Sequence, residues 1–189
     1  MIKKKQLQSA QEVLEMIEEL AEKDFLPIIG SLKGKYLAEE VCKAKPTHVL
    51  EVGTLIGYST ILMGKELGSE AEIVTIEIHP GEAGQAGENI LRANIPPKIK
   101  ILTGDAITII PTLEGKFDFA FIDAEKSEYL RYLKLAEPIF HHGTVVFADN
   151  AGIFADQMSD YLEYVRNSGA YRSRYIQVGD DGVEISVKL

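Results

Sequence analysis

The sequence predicts an α/β protein in which a mostly parallel β-sheet is covered by helices on both faces. Five short apolar runs are apolar on both alternating faces, which is typical of buried parallel strands. Amphipathic stretches of helical length lie between them. Two further runs near the end are joined by Gly-Asp-Asp-Gly, a hairpin signal, so we expect the sheet to end in an antiparallel pair. The prediction is a doubly wound sheet of seven strands in a single domain, 1–189.

Each element follows from its local pattern. The five core strands are predicted at 48–52, 72–77, 99–102, 117–122 and 144–148, and the closing pair at 171–178 and 182–189. Helices are predicted between them at 58–67, 82–94, 105–113, 126–138 and 155–168. Upstream, helical spacing runs from Gln6 to Glu22, and Ser31 could cap a second helix that runs to about Ala44. Residues 1–45 are therefore predicted to be helices packed on an α/β core at 46–189.

Composition narrows the possible partners. The chain has 189 residues, 20 basic and 29 acidic, for a formal net charge of −9. This charge repels nucleic acid and anionic lipid, whereas cations and neutral molecules remain compatible with it. The single cysteine, Cys42, allows no intramolecular disulfide. We read no signal peptide and no apolar run approaching the roughly 18 residues of a membrane span, so we expect a cytoplasmic protein.

An acidic residue ends or closely follows each of the five core strands. These residues are Glu51, Glu77, Asp105, Asp123 and Asp149. The carboxyl ends of parallel strands share one edge of the sheet, where ligands of open α/β sheets bind. Taken singly, each acid could instead be a helix cap or a loop residue, and Asp105 is the strongest case for a cap. Taken together, they predict a ligand-binding site.

A glycine-containing turn follows the first strand in Glu51-Val52-Gly53-Thr54-Leu55-Ile56-Gly57-Tyr58-Ser59. Glycines allow a tight turn and the close approach of a ligand to a helix N-terminus. The turn lacks the G-x-G-x-x-G spacing of dinucleotide sites and the Gly-Lys-Ser/Thr of a P-loop. Glu77 suits a ribose, because a carboxylate can accept hydrogen bonds from both hydroxyls. That feature would serve NAD or S-adenosylmethionine equally well.

The order of motifs resembles the S-adenosylmethionine-dependent, metal-dependent O-methyltransferases, and is most similar to the catechol O-methyltransferase family. The matching segments are Glu-Val-Gly-Thr-x-x-Gly-Tyr-Ser, Ile-Glu-Ile-His-Pro, Gly104-Asp105-Ala106, Phe-Ile-Asp-Ala-Glu-Lys, Ala-Asp-Asn, Lys33-Gly34-Lys35 and Asp181-Gly182-Val183-Glu184. The resemblance covers nearly the whole chain. It implies a Rossmann-like class I methyltransferase fold whose N-terminal helices cover the substrate and cofactor side. It also implies methyl transfer to a hydroxyl of a small vicinal diol with Mg²⁺.

The resemblance also implies a role for each matching residue. S-adenosylmethionine would contact Glu51, Gly53, Thr54, Tyr58, Ser59, Glu77, Ile78, Gly104, Asp105, Ala106 and Asp123. The metal ligands would be Asp123, Asp149 and Asn150, the general base Lys126, and the substrate-pocket residues Phe25, Pro27, Ile29 and Glu125. Two carboxylates and an amide oxygen are hard ligands that suit Mg²⁺. A vicinal diol could chelate the ion through both oxygens.

Two departures from the family leave the substrate open. Glu125 stands where animal catechol methyltransferases carry an aromatic gatekeeper, and no carboxylate near Gln177 matches the one that contacts the second hydroxyl. One alternative is a methyltransferase for a hydroxylated nucleoside in RNA, which the charge of −9 disfavours. Another is a catalytically inactive cofactor-binding protein, which the intact metal and base set disfavours. We expect a small hydroxylated substrate and a possible homodimer.

Overall fold

The computed structural model describes residues 8–189 and contains one seven-stranded sheet. The strands are β1 His48–Val52, β2 Glu72–Glu77, β3 Lys98–Thr103, β4 Phe117–Ile122, β5 Phe140–Ala148, β6 Tyr171–Val178 and β7 Asp181–Lys188. Their order across the sheet is β3-β2-β1-β4-β5-β7-β6. The first five strands pair in parallel with one another, and β7 pairs antiparallel with β5 and β6. The predicted fold class is confirmed.

Seven α-helices accompany the sheet within residues 8–189. They are α1 Ala10–Asp24, α2 Gly30–Ala44, α3 Tyr58–Gly64, α4 Pro80–Ala93, α5 Ala106–Ile109, α6 Tyr129–Ala136 and α7 Ser159–Asn167. Short 3₁₀ turns at 110–112, 126–128 and 137–139 flank α5 and α6, where the sequence predicted continuous helices. The helix predicted from residue 155 begins at Ser159.

The starts of the first two helices differ from the predicted starts for local reasons. Ser9 and Glu12 form a capping box, so α1 begins at Ala10. Gln6 and Leu7, the first residues of the predicted helix, lie outside the described part of the chain. Helix α2 already starts at Gly30, so Ser31 lies inside the helix and does not cap it.

Both faces of the sheet are buried, as the apolar runs predicted. Along β4, Phe119 and Phe121 pack on one face with residues of α1, α2 and α3. The alternating residues Ala120 and Ile122 pack on the other face with residues of α5, α6 and α7. The two-residue periodicity of a strand therefore places successive apolar side chains in two separate cores.

The closing hairpin has its turn two residues earlier than the Asp-Gly signal suggested. Val178 pairs with Asp181, so the turn residues are Gly179 and Asp180, and Gly182 lies within β7. Gly179 has φ 62°, as the first position of a tight hairpin turn requires. This register puts Asp181 at the start of a strand that pairs with β5.

The strand order fixes where a ligand can bind. After β1, the chain adds β2 and β3 on one side and β4 and β5 on the other, so the order reverses between β1 and β4. The crevice at the carboxyl ends of the strands beside such a switch point is the usual ligand site of an open α/β sheet. None of the helices within residues 8–189 combines the length and the apolar character needed to cross a membrane.

Candidate active site

A cavity of about 630 Å³ opens at the carboxyl ends of β1, β2 and β4. Its volume suits a ligand of cofactor size. Among the residues predicted to contact the cofactor, those that line it are Gly53, Thr54, Tyr58, Ser59, Glu77, Ile78, Gly104, Asp105, Ala106 and Asp123. The sequence did not assign roles to other lining residues, which include Leu55, Arg131 and Tyr132.

The turn after β1 brings two strand ends into contact at the cavity. Gly53 has φ 96°, and its backbone nitrogen donates to Ile76 O at 3.0 Å. A Cβ added to Gly53 would overlap the backbone carbonyl of Asp123. Only glycine therefore combines this conformation with such close contact between β1 and the residue after β4.

Gly53→Ala is expected to lower the free energy of unfolding by about 2 to 4 kcal/mol, because a positive φ and a backbone overlap both add strain. Urea denaturation would measure this change. Gly84→Ala is the matched control, since Gly84 lies within α4 and a Cβ there would meet nothing within 4 Å. The free energy of unfolding of the control variant should rise by about 0.5 to 1 kcal/mol, because alanine favours a helix interior more than glycine does. Equal effects of the two substitutions would contradict the close contact inferred at Gly53.

Glu77 is held in a fixed orientation at the end of β2. Its Oε2 accepts a hydrogen bond from Leu55 N at 2.7 Å, and its Oε1 accepts one from His79 N at 2.9 Å. The residue is 5% exposed, yet it lines the cavity. A carboxylate oxygen can accept more than one hydrogen bond, so Glu77 retains capacity for the hydroxyls of a ribose.

Glu51 was predicted to contact the cofactor, but it does not line the cavity. It is fully buried, and its carboxylate accepts hydrogen bonds from the hydroxyls of Ser59, at 2.5 Å, and Thr60. Burial raises the pKa of Glu51 to about 7 against the lowering effect of these hydroxyls. The side chain points to the face that α3 covers, so it supports Ser59, which does line the cavity.

The sequence left open whether Asp105 caps a helix or faces the ligand cavity, and in the structure it does both. Asp105 caps α5, because its Oδ1 accepts from Ile107 N at 2.8 Å. It also lines the cavity, together with Gly104 and Ala106. The predicted cap and the predicted cavity position are therefore compatible in one residue.

Three of the four predicted substrate-pocket residues line the cavity, namely Pro27, Ile29 and Glu125. Phe25 does not, and its side chain is 91% exposed. The reason is that Phe25 ends α1 in the left-handed conformation with φ 53°, which turns the chain and leaves its ring in solvent. The assignment of Phe25 to the substrate pocket stays a prediction.

The residue predicted as general base lies beside the cavity. Lys126 Nζ is 2.8 Å from Asp123 Oδ1 and donates to Tyr129 Oη at 3.2 Å. Tyr129 in turn donates to Asp149 O at 3.3 Å. Burial and the charges of Asp123 and Asp149 raise the pKa of Tyr129 well above its usual range, so this hydroxyl keeps its proton. Asp123 therefore belongs both to the cavity lining and to a second polar cluster, which includes Lys126, Tyr129 and Asp149.

That second cluster contains Asp149, which is 1% exposed. Its Oδ1 forms an ion pair with Lys33 Nζ at 2.7 Å, and this buried oxygen has no other polar partner within residues 8–189. Burial and the charge of Asp123 raise the pKa of Asp149, although Lys33 opposes the shift. The pKa of Lys33 is raised in spite of its own burial, because Asp149 and Asp181 stabilise its charge. The carboxylate oxygen Oδ1 of Asp149 can accept a further cationic or hydrogen-bonding partner, because it has more than one lone pair.

Asp181 joins this cluster from β7. It accepts hydrogen bonds from Lys33 Nζ at 2.7 Å and from Asn150 Nδ2 at 2.8 Å. Burial raises the pKa of Asp181, but these hydrogen bonds outweigh it and the net pKa is low. Sequence reasoning gave Asp181 and Lys33 no role in the site, because 148 residues separate them in the chain. The structure thereby places a carboxylate near the metal-ligand candidates, four positions beyond Gln177.

A family model described as O-methyltransferase matches residues 5–167. Catechol O-methyltransferase B of Danio rerio is 36% identical over 174 residues, which are 85% of this chain and 65% of that protein. Catechol O-methyltransferase of Niastella koreensis is 41% identical over 124 residues, or 62% of this chain and 55% of that protein. The chain thus spans less than two thirds of the length of these curated relatives.

Solved structures share the fold. The O-methyltransferase from Bacillus cereus in complex with SAH has a TM-score of 0.85 and 27% identity, and the match covers 94% of this chain and 91% of that one. A putative O-methyltransferase from Klebsiella pneumoniae also has a TM-score of 0.85, with 26% identity and coverage of 93% and 89%. The likeness includes both the N-terminal helices and the sheet, because it extends over nearly all of this chain.

Proposed function

This chain belongs to the O-methyltransferase family, and from that premise we propose that it transfers a methyl group from S-adenosylmethionine to a hydroxyl of a small catechol-like substrate, assisted by Mg²⁺. The observation that carries the proposal is the position of Asp123. Its carboxylate lines the cofactor-sized cavity and also contacts Lys126, beside the cluster that contains Asp149 and Asn150. A methyl donor and a hydroxyl acceptor can therefore meet at one carboxylate.

The cavity residues suit S-adenosylmethionine. Glu77 is oriented to accept from ribose hydroxyls, and Gly53 lets a ligand approach the backbone of the turn. SAH, present in the Bacillus cereus structure, is what remains of S-adenosylmethionine after its methyl group has left. Pro27 and Ile29 add an apolar wall to the same cavity, on the side of the N-terminal helices.

The second cluster fits a hard divalent cation. Asp123 and Asp149 supply carboxylate oxygens and Asn150 an amide oxygen, and Asp149 Oδ1 is a buried acceptor whose partner in the described chain is the Lys33 ammonium. A bound Mg²⁺ would lower the pKa of a substrate hydroxyl and favour substrates that carry two adjacent oxygens. We propose Lys126, in its neutral amine form, as the base that accepts the proton of that hydroxyl; the 2.8 Å contact of Nζ with Asp123 at the cavity edge supports this role.

The alternative acceptor, a nucleoside in RNA, finds little support at the site. Lys33, one of the few basic residues that could favour RNA, is paired with Asp149 and Asp181. Its charge is therefore neutralised by the protein itself. A small-molecule substrate without nucleic acid, a cytoplasmic location and a possible homodimer stay predictions.

The proposal is tested by titration calorimetry followed by a substrate panel. We expect S-adenosylmethionine to bind and NAD not to bind. With labelled S-adenosylmethionine, the panel would contain catechol, caffeoyl compounds, flavonoids and hydroxylated uridine, each with Mg²⁺ and with a chelator. We expect labelled product from vicinal diols only when Mg²⁺ is present. NAD binding, or methylation of hydroxylated uridine alone, would contradict the proposal.

A further inference from the structure

Asp181 is the acceptor for four donors from two other segments. Its Oδ2 accepts from Lys33 Nζ in α2 and from Asn150 Nδ2 after β5, and its Oδ1 accepts from the backbone nitrogens of Gly152, at 3.1 Å, and Ile153, at 3.0 Å. Its side chain is 13% exposed. An ionised carboxylate accepts hydrogen bonds and donates none, so every group around it must present a donor.

This requirement determines the orientation of the Asn150 side chain. An amide has a donor end and an acceptor end that are almost identical in shape, and only its neighbours distinguish the two. Because Asp181 can only accept, the NH₂ end of Asn150 faces Asp181, as the 2.8 Å hydrogen bond shows. The amide oxygen, which is the end able to bind a cation, is therefore turned away from Asp181.

The backbone of the same loop is attached to β7. Asn150 adopts φ 61°, and Ala151 N donates to Gly182 O at 2.9 Å. The hydrogen bonds from Gly152 and Ile153 add to this attachment. The loop that follows Asp149 is thus held against the first residues of β7, so the side chain of Asn150 starts from a defined backbone position.

We propose that Asp181 is a positioning residue of the metal site: by accepting the Asn150 NH₂ group it keeps the amide oxygen available to the cation. The proposal rests on the proposed function only for the presence of the cation. The orientation of Asn150 itself follows from residues of this chain. Asp181 acts through Asn150 and does not line the cofactor cavity, so its role is separable from cofactor binding.

The orientation is tested without metal by NMR of the full chain. The side-chain NH₂ signal of Asn150, assigned by its loss in Asn150→Ser, should be protected from exchange with solvent. In Asp181→Asn, which keeps the size of the side chain, the enforced orientation is lost, and we expect protection to fall by about tenfold or more. Unchanged protection in Asp181→Asn would overturn the proposal.

The consequence for the cation is tested by titration with MgCl₂ in a calorimeter. Asp181→Asn should weaken Mg²⁺ binding by about 10- to 100-fold, as loss of an outer hydrogen bond to a ligand does, with S-adenosylmethionine affinity unchanged. In turnover assays, the Mg²⁺ concentration for half-activation should rise, while kcat at saturating Mg²⁺ stays within about twofold.

Asp180→Asn is the control variant. Asp180 is an exposed turn residue, so the substitution removes an equal charge one position away and leaves the Asn150 hydrogen bond, and Mg²⁺ affinity should not fall. Equal losses in Asp180→Asn and Asp181→Asn would overturn the proposal, because the charge and not the amide hydrogen bond would then matter. If the unaltered protein binds no Mg²⁺, the proposed metal role fails, while the NMR comparison still decides the orientation of Asn150.

Discussion

Asp149→Ala is expected to reduce Mg²⁺-dependent methyl transfer to the level measured with a chelator. Asp149 is a buried carboxylate whose Oδ1 is paired with Lys33 Nζ, and Asn150 follows it directly. Its removal would leave Asp123 and Asn150 as the remaining predicted ligands, too few protein oxygens to hold the cation well. The measurement is turnover with and without Mg²⁺, together with calorimetric titration of the metal.

The cofactor should still bind to this variant. Asp149 does not line the cavity, whereas Asp123 does, so Asp123→Ala should impair both metal and S-adenosylmethionine binding. The protein should remain folded, since Lys33 keeps its ion pair with Asp181 at 2.7 Å. Mg²⁺-dependent turnover that survives in Asp149→Ala would show that Asp149 is not a metal ligand.

Lys126→Met is expected to lower kcat by about 10²- to 10⁴-fold near neutral pH, which is the usual contribution of a general base. The KM for S-adenosylmethionine should change little, because Lys126 does not line the cavity. The difference in kcat between Lys126→Met and the unaltered protein should become smaller as pH rises through the pKa of the substrate hydroxyl, since an ionised substrate needs no base. Rates measured across a pH series for both proteins would show this convergence.

The control for this experiment is Lys134→Met. Lys134 lies on α6 with its side chain 45% exposed and paired with Glu137, and it does not line the cavity. The substitution removes an equal charge and should leave kcat unchanged. A loss in Lys126→Met that does not vary with pH would indicate that Lys126 holds Asp123 in place and does not accept a proton.

The order of buried runs and amphipathic stretches was enough to predict the fold, because strand and helix periodicities are local properties of the chain. The cavity was predictable for a related reason. Once the strands are parallel, the acids that follow them share one edge, and Glu77, Asp105 and Asp123 do line the cavity there. Two residues lie outside the cavity lining at points where backbone conformation, and not periodicity, decides where a side chain points.

Phe25 and Glu51 are the residues predicted for the substrate and cofactor pockets that do not line the cavity. Both lie in segments that the resemblance assigned to the site, but a left-handed C-cap places Phe25 in solvent. The pleat of β1 places Glu51 under α3, bonded to Ser59. Sequence position alone does not report the direction of a side chain when a turn or a strand face intervenes.

The sequence by itself determined the fold class, the edge of the sheet that carries the site, and the residue types available there. Only the tertiary structure decided which distant residues complete it. Lys33, Asn150 and Asp181 come from α2, the loop after β5 and β7, and they meet because β7 pairs antiparallel with β5. Such pairing depends on contacts between segments far apart in the chain, for which local periodicity carries no signal.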